Sequence, residues 1–297
     1  MRPIRLFEQD KLYFITNRTI QGRLLLRPSP LINKTIGAIL ARGLNLYSVR
    51  LYAFVFTSNH FHIILAGHPR AIARFMSHLQ SNIARQVGAM IDWRAKFWGR
   101  RYSAEPILDN DALVGRLQYI FEHGPKEGLV QTAQKWPGLT CIPELTSSKQ
   151  RTFKWFHKSR YQLACLYRKN VNRKDFEEEL PLTLTPFPHW QHLEKHQRRC
   201  LARETLDAAN HSARIKRDGK PPLGLKKVLA QHPHTRPKHS KRSRRPWCHT
   251  TCPQMRKAFK KQYREFLQYY WEASELYIKG VYNAAFPPGT FKPPIEA

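Results

Sequence analysis

Two periods of apolar and polar residues follow one another in the first half of this chain, and the switches between them mark out its elements. Lys11 to Thr19 is dense in aromatic and β-branched residues, the composition of a strand. Pro28 and Pro30 break the chain, and Leu31, Ile32, Ile36, Ile39 and Leu40 then recur at helical spacing through Gly43. Tyr47 to Phe56 and His60 to Leu65 are apolar runs separated by Thr57-Ser58-Asn59, the pattern of an antiparallel hairpin. Pro69 suits the first turn of a long helix through Met90, where Ile72, Phe75, Met76, Leu79 and Ile83 keep a 3.6-residue stripe. Arg101 to Ile107 reads as a short strand, and Asp109-Asn110-Asp111 offers capping groups for a helix through Glu122 that Gly124-Pro125 ends. The order strand, helix, strand, strand, helix, strand, helix predicts an α+β fold, an antiparallel sheet with its helices packed on one face.

The pattern changes near Thr146. Basic and aromatic residues alternate through Phe153 to Lys158, and prolines interrupt Pro181 to Pro188. A helix is expected over about 191–215 and another over about 253–280. Between them, His232 to Arg245 is so rich in Pro, His, Lys and Arg that no fixed structure is expected of it alone. The division predicted is a core over 1–145 and a basic, mostly helical extension over 146–297.

Charge narrows the class of partner. The 297 residues carry 51 Lys and Arg against 21 Asp and Glu, a formal charge of +30 that repels itself unless a polyanion is bound. Nucleic acid is the first candidate. No long apolar run predicts a membrane span, and the start lacks the apolar stretch of a secretory signal, so a cytoplasmic, nucleoid-associated protein is expected. Five cysteines without a compact framework predict no structural disulfide.

Residues two apart on a strand share a face, so His60 and His62 project together while Phe61 points the other way. By itself such a pair reads either as a two-imidazole metal clamp or as two exposed strand histidines. Tyr119 likewise reads as a reactive phenol or as a core aromatic beside Leu113, Leu117 and Ile120, and His123 as a ligand or as a histidine at a helix end. Cys248 and Cys252 lack the second pair that a zinc site needs.

Motifs in order decide between these readings. Ser58-Asn59-His60-Phe61-His62-Ile63-Ile64-Leu65 resembles the His-hydrophobic-His motif of the single-tyrosine HUH transposases, especially the REP-associated tyrosine transposases. Tyr119-Ile-Phe-Glu-His-Gly-Pro-Lys-Glu-Gly-Leu-Val130 is similar to that family's Tyr-Ile-x-x-Asn-Pro-x-Lys-x-Gly-Leu-Val signature, and Tyr13 to Arg18 and Phe97 to Tyr102 add supporting matches. The resemblance covers roughly residues 10 to 140.

It implies a ferredoxin-like HUH nuclease core that cleaves and rejoins single-stranded, hairpin-bearing DNA through a 5′-phosphotyrosine intermediate. Tyr119 would be the catalytic nucleophile, and His60, His62 and His123 would hold Mn²⁺ or Mg²⁺. His123 replaces the family's usual amide, and three imidazoles favour Mn²⁺. Candidate DNA contacts are Arg18, Arg74, Arg85, Trp98, Arg100, Arg101 and Tyr102 in the core, and Lys241, Arg242, Arg244 and Arg245 in the basic run, which reads equally as a disordered linker. The partner expected is single-stranded or hairpin DNA, with no membrane, the protein being a monomer or homodimer. A DNA- or RNA-binding regulator that keeps the fold without cleavage is the alternative.

Overall fold

The computed structural model describes residues 4–147, 149–168, 170–237, 246–290 and 292–293. Four strands, β1 (Leu12–Arg18), β2 (Val49–Phe56), β3 (His60–Gly67) and β4 (Ser103–Ile107), form an antiparallel sheet in the order β2-β3-β1-β4. Alternating with them are α1 (Pro30–Leu46), α2 (Pro69–Met90) and α3 (Asn110–Glu122). The α+β class and the antiparallel sheet are as the pattern predicts, and so is the cap of α3 at Asp109. Ser29 accepts from Ile32 N at the start of α1, and Asp109 from Ala112 N at the start of α3, each occupying one otherwise unpaired amide.

The helices do not share one face. Phe61 meets Trp98 edge to face at 5.4 Å, and the Trp98 indole donates to the Gln80 carbonyl of α2 at 2.9 Å. His62, its neighbour on β3, points the opposite way and meets Tyr119 of α3 at 5.3 Å between ring centres. Helices on both sides explain why every residue of β3 is buried. A sheet covered twice reads as a nearly unbroken apolar run, in which the two histidines stand out.

Residues beyond 145 pack directly on this framework. A second sheet pairs β5 (Thr152–Phe156) with β6 (Glu177–Pro181), and Phe153 lies so close to Gly37 of α1 that a Cβ there would sit 2.1 Å from its ring. The short helices α4 (Ile142–Thr146) and α5 (Lys158–Tyr167) flank β5, and α6 (Lys195–Arg217) lies against α3. Glu122 at the end of α3 is buried, and Lys216 of α6 reaches both its oxygens, at 3.2 and 3.0 Å. The helices α7 (Leu225–Ala230) and α8 (Pro253–Ile278) follow; α6 and α8 lie close to the predicted spans, whereas α7 is not predicted. Both sheet edges are covered. Residues 139–141 bond along β2, and His249 exchanges backbone bonds with Pro106 (2.8 Å) and Leu108 (2.9 Å) beside β4. Covered edges remove the unpaired backbone row through which sheets aggregate. No described helix is long and apolar enough to cross a membrane. Lys241, Arg242, Arg244 and Arg245, with the rest of the run predicted to lack structure up to that point from 238, lie outside the described residues.

Candidate active site

The turn between β2 and β3 fixes the first imidazole. Thr57 N donates to the His60 carbonyl at 2.8 Å, and the Thr57 hydroxyl donates to the same carbonyl at 2.9 Å. Asn59 reaches across to the 19–26 loop, where its Nδ2 donates to the Gly22 carbonyl at 2.9 Å. Gly22 presents that carbonyl with φ +68°, a left-handed conformation that costs glycine little. With its nitrogen so engaged, Asn59 turns its oxygen to His60 Nδ1 at 2.7 Å. An amide oxygen only accepts, so Nδ1 carries the proton and Nε2 keeps its lone pair.

His62 is held from the neighbouring strand, its Nδ1 2.7 Å from the hydroxyl of Thr16, the residue opposite it in the β1–β3 register. Its ring stacks on Phe14 at 4.9 Å. Hydrogen bonds to Nδ1 that leave Nε2 bare are the arrangement that orients histidine ligands in metal sites.

The third imidazole arrives from α3. His123 is the first residue beyond the helix, with φ −65° and ψ 135°. Gly124, at φ +96°, and Pro125 stop the helix there. The ring nevertheless lies 4.4 Å from that of His62, 5.1 Å from His60 and 4.7 Å from Tyr119. One nitrogen from each of the three histidines lies within 4.8 Å of the others.

Electrostatics keep this group neutral. Burial, and then the positive charge of Arg18, push His60 down to about 3. Burial and the neighbouring histidines and cations push His62 and His123 well below the ordinary imidazole value. A neutral His123 lacks the charge that would favour a helix C-terminus, which weakens the helix-end reading. His62 Nε2 and both nitrogens of His123 are buried without a hydrogen-bond partner. Buried polar atoms without partners are costly, and neutral imidazoles that bring lone-pair nitrogens together suit a divalent ion. The residues present therefore fit a metal, and an all-imidazole set fits a transition ion better than Mg²⁺.

Tyr119 is half-buried between two cations, with Arg116 Cζ 4.8 Å and Lys126 Nζ 4.2 Å from its ring centre. Burial pushes its phenol above the ordinary value, and Arg116 pulls against it. Arg116 and Lys126 went unassigned in the sequence. Arg116 stands three residues before Tyr119, a helical neighbour, and Lys126 belongs to the signature itself.

The candidate DNA contacts fall into separate places. Arg18, at the end of β1, is exposed beside the histidines. Arg100, Arg101, Trp98 and Tyr102 line a cavity of about 1010 Å³ between β4 and α8, away from Tyr119. There the Trp98 ring is committed to Phe61 and Phe97, and the Tyr102 ring lies under the Arg5 guanidinium at 3.6 Å. Arg74 and Arg85 are exposed on α2, across the sheet from the histidines, Arg85 donating to Asn82 at 2.7 Å.

No protein-family model matches the chain, and no curated protein matches it. Among solved structures it is similar to a REP-associated tyrosine transposase bound to a REP hairpin, with TM-score 0.42 and 14% identity over 63% of this chain and 95% of that one. It is also similar to a protein described as a "putative transposase" from Deinococcus radiodurans R1, with TM-score 0.30 and 18% identity over 40% of this chain and 95% of that one.

Proposed function

We propose that this chain is a metal-dependent nuclease and strand transferase acting on single-stranded, hairpin-bearing DNA, with Tyr119 as nucleophile and His60, His62 and His123 as the ligands of Mn²⁺ or Mg²⁺. The observation that carries the reading is the meeting of three neutral imidazoles, two of them with buried nitrogens lacking a hydrogen-bond partner, and one phenol whose ring centre lies 4.7 and 5.3 Å from two of theirs. In this reading residues 1–145 supply the chemistry and the basic remainder holds nucleic acid.

A divalent ion in that position supplies charge neutralisation at the nonbridging phosphate oxygens, the main barrier to attack on a phosphodiester. The chain's own groups do the rest. Tyr119 loses its proton to solvent, and its oxygen forms a bond to phosphorus as the bond to the 3′ oxygen breaks. That oxygen takes up a proton, leaving a 5′-phosphotyrosine and a free 3′-hydroxyl. Arg116, over the Tyr119 ring, favours the phenolate that burial opposes, and Lys126 lies 4.2 Å from the same ring centre. A phenolate also leaves more readily than an alkoxide, so the step can run back and rejoin strands.

The test is incubation of the full chain with a labelled single-stranded hairpin and Mn²⁺. A denaturation-resistant protein–DNA adduct, absent in Tyr119→Phe, is expected. The second reading, a regulator without cleavage, draws on the same burial that holds the Tyr119 phenol protonated, and it predicts tight binding with no adduct. Preference for an RNA hairpin with no DNA cleavage would replace both DNA readings.

A further inference from the structure

Beside α3, on the side of Arg116 away from Tyr119, a groove of about 610 Å³ runs between that helix, the 246–251 segment and the start of α8. Three of its wall residues, Arg256, Lys260 and Arg264, recur every fourth position and therefore form one stripe along α8. All three are exposed. Arg116, whose guanidinium carbon lies 4.8 Å from the Tyr119 ring centre, also lines the opposite wall of this groove. Asp111 is the one acidic residue lining it.

The distribution of charge on α8 runs against its dipole. Residues 253–264 hold five cations and no acid, while residues 265–278 hold three acids and no cation. Cations at a helix N-terminus and carboxylates near its C-terminus are each unfavourable. A helix with no partner for that charge would gain by the reverse order. The arrangement becomes favourable when an anion occupies the groove. Trp247, 42% exposed at the groove wall, adds a flat apolar surface, with Arg264 Cζ 5.9 Å from its ring centre. Cations tracking a backbone beside an exposed aromatic ring are the means by which proteins hold a single strand without reading its sequence. Each four-residue step advances about 6 Å along the helix, comparable with one nucleotide of an extended strand.

We infer that this groove is a binding track for the single-stranded DNA flanking the cleavage point, with Arg256, Lys260 and Arg264 on its phosphates, Trp247 against a base, and Arg116 handing the backbone to Tyr119. The last link rests on the reading of Tyr119 as nucleophile. The phosphate contacts do not.

Fluorescence anisotropy of a labelled oligo-dT strand, titrated with the full chain over a range of salt, tests the track. Lys260→Ala/Arg264→Ala removes two wall cations, and Lys257→Ala/Lys261→Ala removes the same charge from exposed residues that do not line the groove. Each phosphate contact contributes about 0.7 to the slope of log K against log salt for single strands. The first pair should lower that slope by roughly 1.4, and the second should leave it within error. Gly115→Glu, whose side chain enters open space at the opposite wall, should weaken binding while circular dichroism remains native. Equal effects of the two pairs, no effect of the first, or no effect of Gly115→Glu would overturn the track. So would loss of oligo-rU binding alone in the first pair, which would make the ligand RNA. Adduct formation by the parent chain is scored separately. Without adduct but with the expected slopes, the nuclease reading falls and the track stands. With adduct but unchanged slopes, the track falls and the nuclease reading stands.

Discussion

Asn59 Oδ1 lies 2.7 Å from His60 Nδ1, and the same side chain's Nδ2 is committed to the Gly22 carbonyl. One amide thus ties the imidazole to a loop that is local to neither histidine, and chooses the tautomer whose Nε2 is free.

Removing that choice should weaken metal binding without removing a ligand. Asn59→Ala is expected to lower Mn²⁺ affinity about 10- to 100-fold, the usual cost of losing such a supporting bond. Calorimetric titration of Mn²⁺ into wild type and variant decides it, and equal affinities would show that the Thr57 hydroxyl, 2.8 Å from the same Nδ1, is enough to orient the ring.

The histidine group predicts a thermal signature. At about 100 times its dissociation constant, an ion that binds only the folded state stabilises it by about 2.7 kcal/mol. Mn²⁺ should therefore raise the melting temperature of the wild type by several degrees and leave His62→Ala unmoved. His123→Asn replaces nitrogen by an amide oxygen and should shift preference from Mn²⁺ towards Mg²⁺. A Mn²⁺ shift that persists in His62→Ala/His123→Ala would place the ion elsewhere.

Acid should destabilise the fold through His249. Burial, and then Arg116, push its imidazole down to about 3 from 6.5, and its Nε2 is buried without a partner. Below pH 6.5 the unfolded chain takes a proton that the folded chain refuses. Stability is accordingly whole above that pH and is lost as pH falls towards 3, by up to about 1.4 kcal/mol per pH unit for this one group. His249→Phe keeps the backbone bonds to Pro106 and Leu108 and removes the titrating group. Urea unfolding from pH 6 to pH 4 should show a shallower loss in the variant, whatever its offset at pH 8. Parallel curves would assign the acid sensitivity to the other buried histidines.

Gly37→Ala should unseat the β5–β6 hairpin. A Cβ there would fall 2.1 to 2.5 Å from three atoms of the Phe153 ring. Alanine gains roughly 1 kcal/mol of helix propensity over glycine, but overpacking costs about 1–3 kcal/mol, so a net loss is expected. A lower denaturation midpoint with faster proteolysis near residues 152–181 would confirm it. An unchanged midpoint would mean that the Phe153 ring turns aside freely.

The sequence carried much of this arrangement because its strongest signals were local. Strand alternation was enough to put His60 and His62 together, and the capping carboxylate of Asp109 to start the Tyr119 helix. What it hid depends on contacts between distant segments. The placement of α3 across the sheet from α2 is legible in β2 and β3, whose apolar residues fall on both faces, but an apolar hairpin pattern alone does not say which helix covers which face. The pairing of β5 with β6 had no tight turn to announce it, since α5 intervenes, and the acidic β6 has little strand character of its own. Its glutamates gather round the one cation of β5, Lys154, which lies 3.6 and 3.7 Å from Glu177 and Glu179. His249 reaches β4 through backbone bonds, which leave no mark in side-chain pattern. Lys241 and its neighbours in the basic run remain a proposal from composition.

The Glu122–Lys216 pair has a bearing on how the second half of the chain can change. Glu122 adjoins His123, and although burial pushes its carboxyl up, hydrogen bonds from Lys216 and Ser212 hold it below the ordinary value. A substitution at residue 216 that removes the ammonium takes away the cation that reaches both oxygens of this buried carboxylate, one peptide bond from His123. The end of the Tyr119 helix is therefore tied to a residue 93 positions downstream of His123 (216 − 123), and exchanging the C-terminal half for another sequence would have to carry that lysine along.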